Sequence, residues 1–172
     1  MIAEMNHLTT INKLDKSTVI PKINRFACRG VIYQNNKLLM IYLKATNEYK
    51  FPGGGIEANE SKVVALKREV LEESGRTISK VISSLGYIDQ INIDINNEDD
   101  IFHMRSYYYR CDITKDIENQ NLSGYEIELG FTPVWVSVDQ AIKVNENRIK
   151  NTAIYNWTAR ELYMLNYLKE VL

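Results

Sequence analysis

Three glutamates, Glu69, Glu72 and Glu73, stand at i, i+3 and i+4 within GGGIEANESKVVALKREVLEESGR, the run from Gly53 to Arg76. On a helix that spacing puts the carboxylates within reach of one another, and each like-charge pair destabilises an isolated helix by roughly 0.2–0.5 kcal/mol. Exposure to water beside cations relieves the repulsion, and so does a bound divalent ion. Hard cations such as Mg²⁺ and Mn²⁺ take carboxylate and carbonyl oxygens. An acidic triplet by itself is most often a solvated helix face, so the surrounding residues decide.

Those residues describe one helix fed by a glycine turn. Ser61 is a suitable N-cap, or Asn59 if the helix starts earlier, and Gly75 can adopt the left-handed conformation just past a helix end. On a helical wheel Val63, Val64, Leu66, Val70 and Leu71 form a broad apolar side that is expected to be buried. The glutamates fall opposite, accompanied by Ala65, which is small enough to leave open space above the helix. Upstream, Pro52 holds the preceding chain extended, and Gly53, Gly54 and Gly55 let backbone approach a ligand closely. A P-loop is set aside, because the lysine and Ser/Thr that close it are missing.

Gly54, Glu60, Arg68, Glu69, Glu72, Glu73 and Gly75 fit the pattern G-x5-E-x7-R-E-U-x-E-E-x-G-U, with Val70 at the first bulky apolar position U. In this the chain resembles the Nudix (MutT-like) hydrolases. One position departs: Arg76 stands where the family usually packs an apolar residue. The resemblance implies an α+β chain folded as an α/β/α sandwich with a mixed β-sheet. It also implies water attack on phosphorus of a diphosphate in a small nucleotide-like substrate. Carried over by position, Glu69, Glu72 and Glu73 are the ligands for Mg²⁺ or Mn²⁺, with the Gly54 carbonyl a further oxygen donor. Arg68 pairs with and orients the box glutamates, and Glu60 joins that network.

The family's general base is a box glutamate or an acid from a later loop. Glu126 and Glu128 are the better later candidates, ahead of Glu98, Asp99 and Asp100. Where ADP-ribose hydrolases carry a proline this chain has Asn92. Ile93 and Asp94 replace the tyrosine of some dinucleoside polyphosphate hydrolases, and the stretch typical of NADH hydrolases is absent. A nucleoside triphosphate or a nucleotide-sugar derivative stays open. So does the alternative of a non-catalytic Nudix-like module that senses a nucleotide or binds a protein. Family resemblance also suggests a homodimer.

Composition bounds the remaining classes. With 172 residues and a net charge of −1, the chain is read as an N-terminal extension, 1–24, followed by a single domain, 25–172. That charge makes no case for long nucleic acid or an anionic membrane. No apolar run is long enough to span a bilayer, and the start lacks a signal-peptide pattern, so a soluble cytoplasmic protein is expected. Cys28 and Cys111 read as reduced strand residues rather than a disulfide or zinc pair. His103 reads as an ordinary surface or edge residue.

The elements that must position the box follow from period and punctuation. Residues 1–24 could form an edge strand, a dimer arm or a frayed terminus. Arg25–Tyr33 and Lys37–Leu43 read as a hairpin about Gln34-Asn35-Asn36, and Tyr49–Phe51 as a short extended piece. Ile78–Ile95, broken at Gly86, and Ile101–Ile113 read as strands joined by a turn over Asn96–Asp100. Alternation puts Tyr107 and Tyr109 on one face and Tyr108 on the other, with at least one ring expected in the core and another a candidate to line a cleft and stack on a base. Tyr125–Leu129 is read as extended and Pro133–Val138 as a buried strand. A helix capped by Ser137 or Asp139 then covers Asp139–Val144, and an amphipathic helix spans Asn151–Leu172. The order places a mixed sheet between helices.

Overall fold

The computed structural model describes residues 5–14, 23–93, 101–151 and 156–172. The expected turn at Asn96–Asp100, and Asp94 and Ile95, fall outside them, as do 152–155 at the expected start of the last helix.

Two four-stranded sheets build the frame. The first takes β1 (His7–Asn12), β2 (Arg25–Val31), β6 (Ile78–Ile93) and β7 (Ile101–Ile113), in the order β1-β6-β7-β2. β6 and β7 are antiparallel, whereas β1 lies parallel to β6 and β2 parallel to β7, so this sheet is mixed. The second is antiparallel and centred on β4 (Lys37–Leu43), flanked by β3 (Tyr33–Gln34), β5 (Glu48–Lys50) and β8 (Phe131–Val136). Asn35 and Asn36 both have positive φ, 50° and 60°, the geometry that lets a tight hairpin follow the right-handed strand twist.

Helices cover both sides. α1 (Lys62–Ser74) shares one buried cluster with Cys28, Ile32, Leu39, Tyr107 and Tyr109. Residues of α3 (Val138–Asn151) and α4 (Asn156–Val171) share another with Val31, Leu38, Met40, Phe51 and Tyr108. The alternation of Leu38, Leu39 and Met40, and of the three tyrosines, between these clusters is the strand period expressed as two cores. All three tyrosine rings are buried, so none is left to stack on a base in the cleft described below.

Several expectations are corrected. Residues 124–129 form a helix, α2 (Gly124–Leu129), not an extended segment. The Glu126 carboxylate accepts the Ser123 N–H at 2.7 Å, and Gly130 closes the turn at φ 68°. These caps outweigh the Tyr-Glu-Ile-Glu-Leu alternation. α3 is longer than expected, with Ser137 Oγ accepting the Gln140 N–H at 3.3 Å. His103 lies buried on β7, which is paired on both sides, so it is neither a surface nor an edge residue. In α1, Val63 and Val64 are exposed while Ala65 is fully buried. The helix therefore seats Ala65, Leu66 and Val70 against the sheet, and no open space lies above Ala65.

Candidate active site

α1 begins and ends as its sequence dictates. Ser61 Oγ accepts the Val64 N–H at 3.3 Å, and Gly75, at φ 65°, donates its N–H to Leu71 O at 2.8 Å. The glycine loop is fixed along β2: Cys28 N–H donates to Gly54 O, and Gly30 N–H to Pro52 O, each at 2.9 Å. Gly53 has φ 139°, and a Cβ there would strike the Cys28 carbonyl. A Cβ on Gly54 would run into the Glu69 carboxylate. Gly53 is thus required by the close approach of the loop to β2, and Gly54 by its approach to Glu69 on the helix.

Arg68 is the hub. Its Nε and Nη2 donate to the two Glu60 oxygens, each at 2.9 Å, and Nη2 also reaches Gly55 O at 3.0 Å. Nη1 donates to Glu69 Oε1 at 2.8 Å and to Glu72 Oε2 at 3.1 Å. The bonds to Arg68 hold the Glu60 carboxyl down at about 2, and those to Glu60 raise the Arg68 guanidinium above its ordinary value. Glu69 Oε2 and Glu72 Oε1 are left without a hydrogen-bond partner among the described residues.

Glu73 points elsewhere. Only 2 % exposed, it sits against the glycine loop, not on an open acidic face. Its Oε1 meets Lys50 Nζ at 2.5 Å and its Oε2 accepts the Gly53 N–H at 2.8 Å. Burial pushes the Glu73 carboxyl up and the Lys50 ammonium down, each opposed by the charge of the other. Arg68 and Lys50 thereby hold the box carboxylates apart, and among the described residues no three acidic, histidine or cysteine side chains converge on one point.

Glu69, Glu73, Lys50 and the glycine loop open onto a cleft of about 610 Å³. Arg25, Arg29, Lys50 and Arg160 line it, against Glu69, Glu73 and Glu126. Phe102, Met104, Tyr125 and Trp157 give it an apolar wall. Glu126 therefore reaches the cleft, whereas Glu128 is exposed and does not line it. Glu98, Asp99 and Asp100 lie outside the described residues. A second depression, about 660 Å³, is bordered by Lys37, Arg76, Lys115 and Trp135. It has no carboxylate among its lining residues, so the candidate site is the first. Arg76, the departure from the family pattern, lines this depression.

Sequence reasoning missed Lys50, Arg29 and Gln120. Arg29 was the most legible, because a charge inside a strand as buried as FACRGV needs a reason. It donates through Nη1 to Gly53 O. Gln120 Nε2 donates to Glu73 O at 2.5 Å and Phe131 O at 3.3 Å, while Asn121 N–H donates to Glu72 O at 2.9 Å. The irregular segment before α2 thus satisfies the last carbonyls of α1 and brings Glu126 to the site.

A strand-anchored glycine loop facing an arginine-organised acidic helix, inside a two-sheet α+β frame, defines a class of phosphate-processing site. The NUDIX domain model matches residues 24–158, and the chain belongs to the Nudix family, as a Nudix pyrophosphohydrolase. Solved structures share the fold. The MutT NUDIX hydrolase from Burkholderia pseudomallei is 21% identical with TM-score 0.52, covering 67% of this chain and 84% of its own. A NUDIX hydrolase from Nitrosomonas europaea is 21% identical with TM-score 0.54, over 71% and 78%. The E. coli ORF135 protein is 18% identical with TM-score 0.51, over 70% and 78%.

Proposed function

We propose that this cleft hydrolyses the pyrophosphate bond of a small nucleoside diphosphate-linked or nucleoside triphosphate substrate by attack of water on phosphorus. The observation that carries the reading is the Arg68 hub, which fixes Glu69 and Glu72 with one oxygen of each free of hydrogen bonds among the described residues, Glu69 against Gly54 of the glycine loop. Hard, anionic oxygen donors of this kind suit Mg²⁺ or Mn²⁺, and Glu69, Glu72, Glu73 and the Gly54 carbonyl would hold it. Such a cation, when bound, offsets substrate charge and makes water more acidic.

The chain's own residues supply the rest. Arg29 and Lys50 present positive charge to the phosphates. The wall of Phe102, Met104 and Trp157 suits a flat apolar ring, which supports a nucleoside over a simple polyphosphate. Glu126, on α2, is the later acid that lines the cleft and would accept a proton from water, a role for which Glu128, off the cleft, is badly sited. The same reading places the protein in the cytoplasm, where such substrates are made; no described helix is long and apolar enough to cross a membrane.

Phosphate and pyrophosphate release tests this across nucleoside triphosphates, oxidised nucleotides, ADP-ribose, nucleotide sugars and dinucleoside polyphosphates. We expect turnover of at least one nucleoside-containing class with Mg²⁺ or Mn²⁺ and none with chelator. Tight, chelator-insensitive nucleotide binding without hydrolysis would sink the reading.

A further inference from the structure

We propose that the Lys50 ammonium is a built-in counter-cation that competes with the divalent metal for Glu73. Metal loading then moves Lys50 off that carboxylate and turns its charge towards the substrate's diphosphate. The inference rests on the metal-dependent reading above and assigns a positioning role to a residue outside the Nudix box.

Glu73 differs from the other two box glutamates. Glu69 and Glu72 each keep an oxygen without a protein partner, whereas both Glu73 oxygens are taken, by Lys50 Nζ and by the Gly53 N–H. A carboxylate this buried needs a counter-charge close by, since an unpaired one bears a large desolvation penalty. Lys50 supplies it from the strand next to the glycine loop. A second cation on Oε1 would meet the ammonium at contact distance, where like charges repel strongly in a site of low dielectric. One of the two has to leave, and the ammonium is the one on a flexible stem.

Lys50 also has somewhere to go. Its Nζ already lies 3.3 Å from Gly53 O and 4.5 Å from the centroid of the Phe131 ring, both on the cleft wall. Those contacts hold the ammonium in the cleft after it parts from Glu73, and Arg29 borders the same loop. Arg68 has no such freedom, because it is fastened to four groups. Metal and diphosphate therefore assist one another through Lys50: the metal frees the ammonium, and the diphosphate gives it a new partner. By linkage each ligand raises the affinity for the other by the same factor.

The test is Mn²⁺ affinity, read from the electron paramagnetic resonance of free Mn²⁺ in titrations of the intact protein. Wild type, Lys50→Gln and Lys50→Met are compared, each also combined with Glu73→Gln, with folding checked by circular dichroism. We expect both Lys50 variants to bind Mn²⁺ about fivefold or more tightly, the lower end of common coupling energies. That gain disappears once Glu73 is Gln. A non-hydrolysable methylene-diphosphonate nucleoside analogue tightens Mn²⁺ binding in wild type more than in either Lys50 variant. A measurement without a variant is the Lys50 Nζ resonance, which shifts on Mg²⁺ addition. Unchanged or weaker Mn²⁺ affinity in folded Lys50 variants, an equal gain without Glu73, or a Lys50 resonance indifferent to Mg²⁺ would overturn the inference while leaving metal-dependent hydrolysis standing. Wild type that neither binds Mn²⁺ nor turns over any substrate would overturn the underlying reading as well.

Discussion

Arg68 places its N–H groups on Glu60, Glu69, Glu72 and the Gly55 carbonyl, so one planar fork sets the spacing of helix and loop. Lysine cannot reproduce that fork, being a point charge. Arg68→Ala and Arg68→Lys should each lower Mn²⁺ affinity or turnover by about 10–100-fold, the usual penalty for losing a partner that orients ligands. Calorimetry and steady-state rates check it. The hub also has a pH signature. Glu60 titrates at about 2 in the folded chain against an ordinary value of 4.5. Its pairing therefore stabilises the fold above pH 4.5, and that stabilisation is lost as pH falls from there through about 2. The stability gap between wild type and Glu60→Gln, followed by denaturant titration, should stay constant from neutral pH to about 5 and then close. Motif spacing alone indicated Arg68 and Glu60. The Lys50–Glu73 pair could not be seen that way, because it joins residues that only the folded loop brings together.

At the scale of elements, the glycine loop, α1 and α2 carry the site. Gly53→Ala combines a positive φ with a clash against backbone, which has no flexible end to yield. It should destabilise the fold by about 1–3 kcal/mol or more and abolish turnover. Ser61→Ala removes only the cap of α1 and should cost about 1 kcal/mol in thermal or chemical denaturation while leaving rates near wild type. Glu126→Gln should lower kcat and Glu128→Gln should not, since only the first carboxylate lines the cleft. Here legibility was uneven for a physical reason. Ser61 and Gly75 were readable because caps act locally. α2 was misread because the period-2 pattern of Tyr125–Leu129 competes with a capping box, and in six residues the caps decide. The wheel misplaced Val63, Val64 and Ala65 because it assigns a buried face from composition, whereas the loop and sheet choose the face that is buried.

Across the whole molecule, apolar clusters on either side of the sheets make the site a product of the entire fold. Glu161 on α4 accepts the Phe51 N–H at 3.0 Å, so the helix on one side supports the loop that faces the helix on the other. Cys28 and Cys111 lie inside, and burial pushes each thiol up to about 12. Thiol reagents should therefore leave the native protein untouched and modify both cysteines only in denaturant, with activity indifferent to reductant. The mixed α+β frame, the tyrosine alternation and the buried free cysteines were legible in the sequence, because each depends on period or composition. The division into two sheets was not, because strand neighbours depend on distant pairing. The most direct test of the central claim is the initial rate of pyrophosphate-bond hydrolysis against Mg²⁺ concentration for wild type and Glu69→Gln. The account expects a saturable rise for wild type, abolished by chelator, and a rate at least about 100-fold lower in the variant, beyond the range for losing only an orienting partner. A wild-type rate that ignores Mg²⁺, or a variant as fast as wild type, would contradict it.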